Sequence, residues 1–135
     1  MNQTQLIEQL SAAGVDTEKA ISRFMGNQDL FISFIRKLPT YMKFDEMRTY
    51  LEQQNEEYFY MAVHNLKGTA GNLGVQSIFE CAQAILVEFR TSNFQHSQKL
   101  NDLLSEAEAE SKQLSKILIE YEQKVEDWTW NAILY

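Results

Sequence analysis

Apolar residues recur at three- and four-residue intervals along almost the whole chain, and little interrupts them. One proline and five glycines are spread over 135 residues. These two residues punctuate turns and short strands, so their scarcity favours a few long helices. No stretch alternates apolar and polar residues as a half-buried strand would. The spacing predicts an all-α fold: an antiparallel four-helix bundle with short additional helices at the N-terminal side. With 44% hydrophobic residues, the chain suits a single domain, residues 1–135, with a substantial core.

A short helix is expected over residues 4–12, ending near Gly14. Asp16 is a suitable N-cap for a second helix, with Glu18 in its first turn, running to about Met25. Leu30, Phe31, Phe34, Ile35 and Leu38 then form a stripe that Tyr41, Met42, Met47, Tyr50 and Leu51 continue. Pro39 lies inside it and should kink or split it. Asn55 marks a turn before a helix over residues 56–72, which Gly74 ends. Another helix is expected over residues 75–91, and a long one over about 96–127. The tail, residues 128–135, holds Trp128, Trp130, Ile133, Leu134 and Tyr135. It is expected to fold back on the bundle end; the other reading is a partner-binding or self-association element.

Nineteen acidic against twelve basic residues give a formal charge of −7, which disfavours a nucleic-acid partner and, less strongly, an anionic membrane surface. The single cysteine, Cys81, excludes an internal disulfide and a cysteine-based zinc cluster. It reads as a small core residue in a reducing compartment. The first ten residues are polar and unlike a signal peptide, and no apolar run could span a membrane. A cytoplasmic location is the expectation.

The 56–72 helix carries the chemical information. On a wheel at about 100° per residue, Phe59, Ala62, Val63, Ala70 and Leu73 fall within about 60° of Leu66, a complete core stripe. His64 falls about 160° from Leu66 and Lys67 about 100°. Gly68 and Gly71 land beside the histidine, facing outward. Each glycine costs a helix interior about 1 kcal/mol relative to alanine, so a bare backbone there calls for a reason. Access is the simplest one: a strip without side chains lets another molecule reach the imidazole. That ring offers a nucleophilic nitrogen near neutral pH, and histidine can carry a phosphoryl group covalently. Lys67 can offset charge on such a group. A lone histidine on a solvated face is more often a plain surface residue; the glycines and the lysine argue for more.

The run from His64 to Gly74, HNLKGTAGNLG, resembles the signature of the histidine-containing phosphotransfer (HPt) domain, H-x-L-K-G-x-[AS]-x-x-[LIV]-G. Gly14-Val15-Asp16, Ala20, Phe24 and Gly26-Asn27 resemble the family's entry segment, and Cys81, Ala84 and Glu88 its following helix. The resemblance covers residues 14–90. It implies a phosphocarrier in a multistep two-component phosphorelay. His64 would accept a phosphoryl group, on its outer ring nitrogen, from a receiver-domain aspartate and pass it to another. Lys67 would assist electrostatically and Gly68 would keep the approach open. Mg²⁺ would belong to the receiver, and the domain itself would need no cofactor, no metal and no ATP site of its own. Partners would be receiver domains of response regulators, a hybrid histidine kinase, or both. Members often place a glutamine on the helix after the histidine; here that place is Leu86, with Gln83 a turn earlier and Gln76 as another option.

Tyr60, Met61, Gly71 and Gln83 are candidate partner-binding residues, with Met25, Met42 and Met47 as core filler. The glycine run Gly68, Gly71, Gly74 does not make a phosphate loop, because Lys67 precedes it and no strand does. His96 has no histidine or cysteine at ligand spacing. Glu106, Glu108 and Glu110 read as a solvated face. The rival function is a non-catalytic bundle that docks and inhibits a kinase or receiver.

Overall fold

The computed structural model describes residues 1–134, with side chains through Glu122. The chain is all-helical, and among the described residues no strand forms. Its elements are α1 (Gln3–Ala12), α2 (Thr17–Arg23), α3 (Gln28–Ile35), α4 (Leu38–Tyr41), α5 (Phe44–Glu52), α6 (Glu56–Asn72), α7 (Gln76–Ser92) and α8 (Ser97–Leu134). No helix is long and apolar enough to cross a membrane among the described residues. α6 packs on α7 and α7 on α8, while α5 touches both α6 and α8. α1 lies against α8, and α2 links α1 to α3.

Local chemistry sets most boundaries. Asn2, Asp16, Asn27 and Asn55 each accept a backbone N–H with the side chain at a helix start. Pro39 does split its stripe: it sits at the second position of α4, after α3 has ended. The long C-terminal helix runs further than the spacing suggested, to Leu134 rather than about 127. The side chains of the apolar tail, and with them its expected fold-back, lie outside the described residues.

Of the stripe the wheel predicts, Phe59, Val63, Leu66, Ala70 and Leu73 are buried, and Ala62 is partly buried against the core. They meet Ile78, Ile85 and Leu86 of α7 and Leu100, Leu104 and Leu118 of α8 in one core. Phe59, Phe89 and Phe94 close one end, with ring centroids 5.0–6.0 Å apart. Cys81 joins the core. Burial, then Glu106, Glu110 and Glu80, push its thiol up to about 11, so it stays protonated and inert near neutral pH.

Two expectations need correcting here. Met25, expected as core filler, is 90% exposed. Glu108 is not part of a freely solvated face. Its carboxylate accepts from Arg48 Nη2 at 2.9 Å and Nη1 at 3.2 Å, tying α5 to α8. Both side chains are about three-quarters buried, which limits screening. The Arg48 hydrogen bond holds the Glu108 carboxyl below its ordinary value. A depressed carboxylate stabilises the fold above its unfolded pKa of about 4.3 and loses that contribution as pH falls through the folded value. Arg48→Ala should therefore cost about 1 kcal/mol at neutral pH. At a pH below that folded value the gap to wild type should largely close. Urea titrations at the two pH values check this; an equal gap at both would remove the ion pair as its cause.

Candidate functional site

Asn55 starts α6 by accepting from the Tyr58 N–H at 3.3 Å, and Glu56 and Glu57 complement the helix dipole. The helix ends in a Schellman motif: Gly74 N–H donates to Gly71 O at 3.2 Å and Val75 N–H to Ala70 O at 2.9 Å. Between these ends the core stripe is buried, so the opposite face must be outward. His64 is exposed at its middle. Its ring lies nearly parallel to that of Tyr60, planes 7° apart and centroids 5.9 Å apart. This places the imidazole over the preceding turn, the direction in which helical side chains lean.

Two grooves flank this ridge. On one side a groove of about 320 Å³ is lined by His64, Lys67, Gly68, Gly71, Gln76 and Phe79, with Arg23 and Asn72 at the α6 C-terminal end. On the other a larger, mainly apolar groove of about 600 Å³ runs between α6 and the α3–α5 segment. Tyr41, Met42, Tyr50, Tyr58, Met61 and Leu66 are among its walls. Of the candidate partner residues, Tyr60 is 40% exposed on the ridge between the grooves and Met61 is 51% exposed on the wall of the larger one.

The two outward glycines differ. A Cβ on Gly68 would meet nothing within 4 Å, so packing does not explain this glycine. A Cβ on Gly71 would come within 3.0 Å of the Phe79 ring. Gly71 is half-buried, and its bare backbone makes room for Phe79; the access argument for Gly71 is corrected to a packing one. Phe79 in turn carries Lys67, whose ammonium sits 5.7 Å from the ring centroid. Gly71, Phe79 and Lys67 thus form one chain of support. Phe79 was missed in the sequence because its role depends on α7 lying against α6.

Of the glutamines, Gln76 lines the groove and Gln83 is exposed on α7 and not among its walls. Leu86 is buried in the core. His96 is paired: Glu88 accepts from its Nδ1 at 2.6 Å and from Lys99 Nζ at 3.0 Å. The His96 hydrogen bond, then that of Lys99, holds the Glu88 carboxyl below its ordinary value. This trio staples α7 to the start of α8. Among the described residues, no three His, Cys, Asp or Glu side chains cluster as metal ligands would.

No family model, curated protein or solved structure matches the chain. An exposed nucleophilic ring, an unobstructed neighbouring backbone and a supported ammonium are arranged along one open groove.

Proposed function

We propose that this chain is an HPt-type phosphocarrier in a multistep phosphorelay, with His64 as its phosphoacceptor. The observation that carries this is the exposed His64 ring beside Gly68, a glycine with open space where its Cβ would be. Lys67, one turn on in the same groove, supports it. The pairing of α6 with α7, α7 with α8 and α5 with both neighbours supports the four-helix-bundle part of the reading. A cytoplasmic setting goes with such a relay.

The chemistry is a reversible displacement at phosphorus. The lone pair of the outer imidazole nitrogen forms the N–P bond. The P–O bond to the donor aspartate breaks and its carboxylate leaves on the donor domain. In the forward step a carboxylate oxygen of a second receiver attacks, and the N–P bond breaks to return His64. Lys67 offsets charge on the transferring group. Mg²⁺ is assigned to the receiver, and the carrier supplies no nucleotide site.

The test is to incubate the protein with a phosphorylated receiver domain and Mg²⁺. An acid-labile, base-stable label supports the carrier. Receiver binding without any label favours the docking-inhibitor reading instead. Gly68→Gln refines the test. It should raise helix stability by up to about 1 kcal/mol while slowing transfer several-fold by obstructing the ring. Transfer at the wild-type rate would remove access as the reason for this glycine.

A further inference from the structure

Arg23 belongs to α2, far from the histidine motif in sequence. Its Nη1 donates to Gly71 O at 2.7 Å and to Asn72 O at 3.2 Å. A cation suits these carbonyls at the negative end of α6, where Gly71 O also accepts from the Gly74 N–H. Among the described residues nothing engages its other N–H groups. Among the described residues, Arg23 and Lys67 are the only charged side chains lining the His64 groove, and neither forms an ion pair. On a chain of net charge −7 this groove is a local cationic strip.

Distance separates the two cations' roles. Gly71 lies seven residues beyond His64, about 10 Å along the helix, and the His64 ring leans the other way toward Tyr60. A guanidinium anchored at Gly71 is out of reach of a phosphoryl group on that ring. It faces whatever sits over the groove. We infer that Arg23 is a specificity-determining contact: it receives acidic side chains on the rim of the partner domain, away from the partner's reactive carboxylate. This rests on the carrier reading and names the chemistry of the partner's rim. Such a charge acts mainly on encounter and wrong-partner rejection, and it weakens with salt.

The test compares two donors to the full chain: a phosphorylated receiver domain, and phosphoramidate, which has no rim. With the receiver, Arg23→Glu should slow transfer about tenfold in about 0.05 M salt and under about twofold in about 0.5 M salt. Arg23→Gln should fall between, and Arg23→Lys should stay near wild type. Phosphoramidate labelling should be the same for all four proteins. Receiver transfer unchanged in Arg23→Glu overturns the inference. So does an equal, salt-independent loss in Arg23→Glu and Arg23→Gln, since that reports only the lost carbonyl contacts. If neither donor labels His64, the carrier reading fails and this inference falls with it.

Discussion

Replacing His64 by Gln should leave the fold intact and reduce phosphoryl labelling to background. The side chain is exposed, and among the described residues its one ring contact is the stacking on Tyr60. Glutamine is at least as good a helix former, so stability should change by less than about 0.5 kcal/mol. Glutamine keeps polarity and approximate length but has no nitrogen lone pair able to attack phosphorus. Labelling and thermal unfolding should be measured on the same preparation. A variant that melts like wild type and still gains an acid-labile label would move the acceptor away from His64. His96 would then be the residue to examine, although Glu88 already engages its ring.

The second large effect concerns stability. Gly74→Ala should cost about 3 kcal/mol. The residue has φ +74°, a left-handed conformation that costs an L-residue about 1–2 kcal/mol. An added Cβ would also lie 2.6 Å from the carbonyl oxygen of Asp16, a backbone atom that cannot swing away. Overpacking of this kind adds about 1–3 kcal/mol. The close approach is part of the fold: Asp16 N–H donates to Gly74 O at 2.8 Å, and Val15 pairs with Val75. Gly68→Ala is the control, because open space there predicts a gain of up to about 1 kcal/mol. Urea titrations of both variants should move in opposite directions. A loss below about 1 kcal/mol at Gly74 would contradict the close α2–α6 junction.

The periodic parts of this protein were legible before any tertiary information. The expected helix over residues 56–72 coincides with α6 because Asn55 caps it and Gly74 ends it, both short-range effects. The same reasoning placed Pro39 at a break and His64 on the outward face. A helical step of about 100° is local, so which residues share a face follows from the sequence alone. What lies across from that face does not. Only the packed helices show that Gly71 makes room for Phe79 while Gly68 does not, or that Arg23 reaches carbonyls 48 and 49 residues away. The same holds for Arg48, which draws Glu108 out of solvent from 60 residues off. These contacts depend on the angles and offsets at which helices meet. Those are set by the fit of many side chains at once, and no local pattern encodes them.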